Sequence, residues 1–189
     1  MQDTESDDRS LIDRVARGDH FAFEVLVRRH GPAMRRFARA LTDDASADDV
    51  TQDAMLDAFR GASGYLGESS VRSWLFTLAR NRAFHHRSAA RRRELSDTPL
   101  IELGVAAGFG QNPERLAEAV ERHDAVVTAL SRLAPEEREV LVLRDIEGLT
   151  GDEAAAVLGV ELTAMKSRLH RARLRLMTAL REIGGHDGG

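Results

Sequence analysis

The 189-residue chain has no cysteine, which excludes a disulfide framework and thiolate metal sites and fits a reducing compartment. Aromatic residues make up only 5% and prolines number four. The apolar/polar alternation of half-buried strands is absent, while Leu, Ala, Val and Arg dominate, so the fold class expected is all-α. No apolar run approaches the roughly 20 residues of a membrane span. The opening MQDTESDDRS is acidic and polar, unlike a signal peptide, so a soluble protein that stays in the cytoplasm is expected. Lysine is nearly missing too: of 27 cationic residues only Lys166 is lysine, which we read as the codon bias of a GC-rich genome. Glycine-rich phosphate loops, metal-ligand sets and nucleophile–base pairs in motif context are also lacking. No cofactor is therefore implied, and the chain is not expected to be an enzyme in its own right.

Charge is present, but unevenly. The formal net charge of −4 speaks mildly against a nucleic-acid binder, yet the distribution reverses that. Residues 71–93 hold seven arginines and no Asp or Glu, whereas residues 1–57 carry thirteen acids against eight bases. Local field governs steering, so basic patches on an acidic body suit DNA together with a protein partner.

The most informative segment is LTGDEAAAVLGVELTAMKSRLHRAR, residues 149–173. A short helix over about 150–158 is predicted to break at Gly159, and a longer basic helix restarts near Leu162. This is the spacing of a helix-turn-helix, whose second helix enters the major groove. Met165, Leu169, Ala172, Leu176 and Leu180 form one buried stripe. Lys166, Arg168, Arg171, Arg173 and Arg175 surround it, with no acid between Lys166 and Arg181. A basic amphipathic helix is often only a solvated face. The glycine turn and the small Ala154-Ala155-Ala156 run, which lets helices cross closely, favour DNA contact.

Along the rest of the chain, residues 10–41 read as two helices interrupted at Gly31-Pro32. Ser46 to Asp49 resembles a capping box opening a helix to about Arg60, with Val50, Ala54, Met55, Ala58 and Phe59 inward. A plastic loop, GASGYLGESS, precedes a helix over about 71–93, where Trp74, Leu75 and Leu78 mark the core side. Arg80, Arg87 and Arg91 share a face suited to phosphates. His85 and His86 point about 100° apart on a helix and do not make a metal pair. Residues 94–112 read as an interdomain linker. Asn112-Pro113 then starts a helix carrying Leu116, Val120, His123, Val127 and Leu130, and Pro135 opens another to about Ile146. Two small helical domains result, 10–93 and 113–183, joined by a flexible linker, with a disordered acidic tail at 1–9 and a frayed end at 184–189.

Three segments in this order, DDVTQDAMLDAFR (48–60), SVRSWLFTLARNRAFHHRSAARRR (70–93) and LAPEEREVLVLRDIEGLTGDEAAAVLGVELTAMKSRLHRAR (133–173), resemble the extracytoplasmic-function (ECF) group of sigma-70 family sigma factors. The resemblance implies a sigma-2 and a sigma-4 domain. In the first segment, Asp49, Gln52, Asp53 and Arg60 would dock on the clamp helices of the RNA polymerase β′ subunit; solubility alone is the plainer reading of such a face. In the second, the loop Leu66, Gly67, Glu68, Ser69 and Ser70 would capture a base flipped from the promoter −10 element. Arg80, Asn81, Arg87 and Arg91 would hold −10 DNA, and Trp74 would pack in the core. The family often has Arg in place of Leu66 and an aromatic in place of Val71. In the third, Thr163, Lys166, Ser167, Arg168, His170 and Arg171 would meet the −35 major groove. Gly151-Asp152 and Leu162 to Met165 depart from the usual family pattern.

The implied partners are core RNA polymerase, through the clamp helices and the β flap, promoter DNA, and an anti-sigma factor. The chain opens almost directly on sigma-2, so silencing is expected from that last partner. Two rivals stand beside this reading. A receiver-type or ligand-binding transcriptional regulator would share the helix-turn-helix but would need strands in residues 1–93. A helical partner-switch protein without DNA binding would need neither arginine cluster.

Overall fold

Asp19 decides where the first long helix begins. Its side chain accepts from the Ala22 backbone N–H at 3.1 Å and from Arg14 Nε at 2.9 Å, while Gly18, at φ 91°, turns the chain. In the computed structural model, which describes the backbone of residues 2–94 and 125–184 and the side chains of 7–89 and 125–183, this cap separates α1 (Gln2–Ala16) from α2 (His20–Leu41). The expected break at Gly31-Pro32 does not occur, because α2 runs through Pro32. Arg28, whose carbonyl loses its partner, and Pro32 itself are both exposed. Water can take up that carbonyl, and the lost bond, costly in a helix interior, is offset by the buried Leu26, His30, Met34 and Phe37 on both sides of it.

The acidic start is also not a disordered tail. Residues 2–9 are helical, and Asp7 and Asp8 both pair with Arg29. Asp8 is 2% exposed and lies 2.8 Å from His30 Nε2, itself buried. Burial alone raises the Asp8 pKa, but hydrogen bonds and charge from His30 and Arg29 outweigh it and hold the carboxyl below the usual aspartate range.

Asp43, not the Ser46–Asp49 stretch, caps α3 (Asp44–Gly61), accepting from the Ser46 N–H at 2.7 Å. Val50, Ala54, Met55 and Ala58 face inward as expected. Phe59 is half-buried against Phe23 and His20, with centroids at 5.0 and 5.4 Å. After a 3₁₀ turn at Ala62–Gly64 and a loop comes α4 (Val71–Glu94). Leu75, Phe76, Ala79 and Ala83 are its buried side, and Phe76 meets Phe37 edge-to-face at 5.3 Å. Trp74 and Leu78 pack at the margin of that core.

The linker, the Asn112-Pro113 helix start and the stripe positions Leu116, Val120 and His123 lie outside the described residues. Residues 125–131 form α5, where Ala129 is buried and the expected core residue Val127 is 41% exposed. Of the anticipated stripe within the described residues, Leu130 packs against the core and Val127 does not. Pro135 opens α6 (Pro135–Leu141), which passes into a π turn at Val142–Ile146 and stops at Gly148, φ 68°. Then come α7 (Gly151–Leu158) and α8 (Leu162–Gly184), whose buried line is Met165, Leu169, Ala172 and Ala179, with Leu176 half-buried. The described residues are all-helical, in a four-helix unit (α1–α4) and a second unit (α5–α8). α2 and α4 of the first touch α6 and α7 of the second. No described helix is long and apolar enough to cross a membrane.

Asp8→Asn should lower stability by about 2–4 kcal/mol at pH 7, since it leaves buried His30 and Arg29 without their carboxylate. The depressed Asp8 pKa means its contribution is present at and above the ordinary aspartate value and is lost as pH falls through the folded-state pKa. Thermal melts of both proteins should therefore converge in strong acid; a pH-independent difference contradicts the ion-pair account.

Candidate nucleic-acid interface

A polar exchange and a glycine fix the helix-turn-helix. Thr150 Oγ1 accepts from the Glu153 N–H at 3.2 Å, and the Glu153 carboxylate accepts from the Thr150 N–H at 2.8 Å, closing a capping box. Gly159 ends α7 in the left-handed region (φ 65°, ψ 38°), and its N–H and that of Val160 return to Ala155 and Ala156. A Cβ on Gly151 would lie 3.1 Å from Leu162 Cδ1 and 3.4 Å from Met165 Cε. The two unusual segments of the motif thus touch each other: glycine at 151 lets α7 approach the start of α8.

On α8 the candidate −35 residues Thr163, Lys166, Ser167, His170 and Arg171 are exposed along one side, and Arg168 is half-buried beside them. Arg173 and Arg175 belong to a different set. Arg173 is paired with Asp145 at 2.6 Å and Arg175 with Glu137 at 2.7 Å, so both fasten α8 to the α6 segment.

The loop before α4 is clasped by Arg9 of α1. The Arg9 guanidinium rests 5.9 Å from the Tyr65 ring centre and against Gly67, whose φ of +75° and missing Cβ make room for it. Tyr65 donates to the Ser69 carbonyl and packs on Trp74 at 5.0 Å. Trp74 therefore packs, as anticipated. Leu66, 75% exposed, together with Glu68 and Ser69, forms the outer rim. Ser70 Oγ caps α4 by accepting from the Ser73 N–H at 3.2 Å.

The basic face of α4 is not uniformly open. Asn81 and Arg87 are exposed, and the Arg91 side chain lies outside the described set. Arg80 stacks 4.6 Å from the Phe84 ring centre and donates Nε to Glu139 at 3.0 Å. Arg72 and Arg36 both reach Glu147, and Ser70 Oγ lies 2.8 Å from Glu153 Oε1. Burial pushes the Glu139 carboxyl up, only partly countered by Arg80. Glu153 is held low: burial opposes this, but the Thr150 N–H, Ser70 and further hydrogen bonds prevail.

The comparisons with known proteins follow this division. Residues 26–93 match the family model of Sigma-70 region 2, and residues 123–176 that of Sigma-70, region 4. The ECF RNA polymerase sigma factor SigM of Mycobacterium tuberculosis is 37% identical over 93% of this chain and 86% of its own. The ECF RNA polymerase sigma-E factor of Escherichia coli K12 is 31% identical over 88% of this chain and 90% of its own. The chain is an ECF sigma factor of the sigma-70 family. A solved relative, the sigma factor RpoE of Bartonella quintana in complex with the anti-sigma factor NepR, superposes with a TM-score of 0.66 at 28% identity, covering 84% of this chain and 96% of that one.

On region 2 of this sigma factor, the acidic face of α3 divides in two. Asp49, Gln52 and Arg60 are exposed. Asp53 and Asp57, both half-buried, turn toward α4: Arg82 binds Asp57 and lies 3.8 Å from Asp53, as does His86. The Arg82 hydrogen bond holds the Asp57 carboxyl below its usual range. Asp53 is thus shared between an internal pair and the surface. Periodicity missed Arg9, assigned to a tail, and Arg36, Arg72, Glu139 and Glu147, whose partners lie far off in sequence. Glu153 had a signal in the T-x-x-E capping pattern.

Gly67→Ala should destabilise region 2, because an L-residue is strained at φ +75° and its Cβ would collide with the Arg9 guanidinium. In an Arg9→Ala background only the backbone part, about 1 kcal/mol, should remain. A double-mutant cycle in denaturant checks this; strict additivity contradicts the clasp.

Proposed function

We propose that the chain is a specificity subunit, not an enzyme, which joins core RNA polymerase in the cytoplasm and directs initiation at promoters with paired −10 and −35 elements. The observation that carries this is the open, cation-rich side of α8 presented by a helix-turn-helix whose α7 is capped at both ends, behind a region 2 with its own arginine helix. In this reading Thr163, Lys166, Ser167, Arg168, His170 and Arg171 meet the −35 groove, arginine reading bases and lysine and serine fixing register on phosphate. The clasped loop Leu66 to Ser70 receives a base flipped from the −10 element, and Arg80, Asn81, Arg87 and Arg91 hold the separated strand. Asp49, Gln52, Asp53 and Arg60 dock on the β′ clamp helices, and region 4 rests on the β flap. An anti-sigma factor holds the protein silent; the Bartonella relative solved with one supports that partner class.

Each domain then needs only a weak site, because the tether gives the second contact a high effective concentration. Run-off transcription with purified core polymerase on a promoter library tests the reading, and transcription no better than core alone would sink it. Lys166→Ala and Arg171→Ala should each weaken promoter binding, Arg171 by about 1–3 kcal/mol, without loss of core binding. Asp49→Arg should do the reverse, weakening core association while leaving the fold unchanged by circular dichroism. If both classes of variant lose the same activity, the surfaces are misassigned.

A further inference from the structure

The turn between α2 and α3, the second half of α4 and the start of α6 surround an open cavity of about 590 Å³. That lies within the roughly 300–1,000 Å³ range of small-molecule sites. Two guanidiniums line it, Arg87 of α4 and Arg138 of α6. Arg138 is half-buried, and its Nε is one of two buried side-chain polar atoms among the described residues that have no hydrogen-bond partner. Burial, and after it the charge of Arg87, pushes the Arg138 guanidinium below its usual value, but an arginine stays charged all the same.

The carboxylates around Arg138 are engaged elsewhere. Glu137 binds Arg175, and Glu139 binds Arg80. Asp43, on the cavity wall, spends its oxygens on the Ser46 N–H at 2.7 Å and the Ser46 hydroxyl at 3.1 Å. Glu136 also lines the cavity, but it is exposed and two positions from Arg138, a spacing at which helical side chains do not face each other. A desolvated cation without a counter-ion is costly, and here a second cation lies beside it. We propose that Arg87 and Arg138 form a binding site for a phosphate-bearing small molecule, seated in the cavity between α4 and α6.

The class of ligand follows from the chemistry of the wall. A guanidinium offers a planar fork of donors that fits phosphate oxygens in pairs. Two such cations call for more than a single negative charge, which a phosphate group carries near neutral pH and a carboxylate does not. Leu41 and Phe84 give an apolar wall beside the cations, which suits a ligand with an organic part attached to its phosphate. Arg87 is shared with the proposed −10 face, so the backbone of single-stranded DNA is the other source of the same phosphate chemistry.

The full chain, in a phosphate-free chloride buffer, is titrated with pyrophosphate by calorimetry and melted with and without it. Pyrophosphate should bind saturably at one site and raise the Tm. Arg138→Met, which keeps the length of the side chain, should weaken binding about tenfold or more and abolish the rise in Tm. Without the anion its own Tm should be higher than that of the wild type, because an unpaired buried charge is gone. Glu136→Gln should tighten binding about two- to fivefold by removing a negative charge from the rim. Arg28→Met, an equal loss of charge at an exposed position on α2, should leave affinity unchanged. An oligonucleotide without terminal phosphates tests the other source: its affinity should be the same for Arg138→Met as for the wild type.

Absence of saturable binding to the wild type overturns the site. So does an affinity that neither Arg138→Met nor Glu136→Gln shifts, or a loss in Arg28→Met as large as in Arg138→Met. An oligonucleotide affinity that falls with Arg138→Met overturns the small-molecule assignment in favour of the DNA backbone. None of these readouts involves polymerase or a promoter, so their failure is distinct from failure of the promoter reading.

Discussion

A carboxylate withdrawn from water must be paired, and Glu139 is the place where that constraint organises this protein. It is carried on α6 of region 4, is 1% exposed, binds Arg80 of region 2 and lies within the field of Arg168 on the recognition helix. Desolvation raises its pKa despite Arg80, so the pair is compensated only in part. Stable on its own terms, such a pair would favour replacement by apolar side chains.

Local structure serves that arrangement. The π turn at Val142–Ile146 and the left-handed Gly148 bring Glu147 to the end of α6, where its carboxylate meets two arginines from different helices of region 2. The capping box of α7 does two things with one side chain: Glu153 Oε2 accepts from Thr150, and Oε1 accepts from Ser70. The start of the helix-turn-helix and the end of the loop before α4 are thus joined through a single glutamate. On the other side, Arg9 clasps the loop at Tyr65 and Gly67, so α1 contributes to the geometry of a surface two helices away.

Much of this is legible in the sequence alone. The helix-turn-helix and its glycine turn, the inward faces of α3 and α8 and the basic character of α4 all follow from local periodicity and capping, which act within a few residues. What periodicity misjudged had tertiary causes. Pro32 reads as a break, but the residues flanking it are buried on one side and the proline faces water. The acidic tail reads as disorder, but Asp8 meets His30 and Arg29 more than twenty residues on. Arg173 and Arg175 read as part of the basic surface around the buried stripe of α8, but Asp145 and Glu137 claim them. Charged side chains carry no spacing signal for a partner far off in the chain, and several such pairs join the two units.

The central claim is that Glu139, Glu147 and Glu153 hold the two units of the free chain together. Because the chain lacks cysteine, spin labels can be placed at Glu24→Cys and Thr178→Cys, one exposed position in each unit. Pulsed dipolar spectroscopy then reads the distance between them in the free chain and in the chain bound to core RNA polymerase. The account predicts a single short, narrow distribution for the free chain and a shift to longer distance on the polymerase. The same distribution in both states, or a broad one in the free chain, would contradict it.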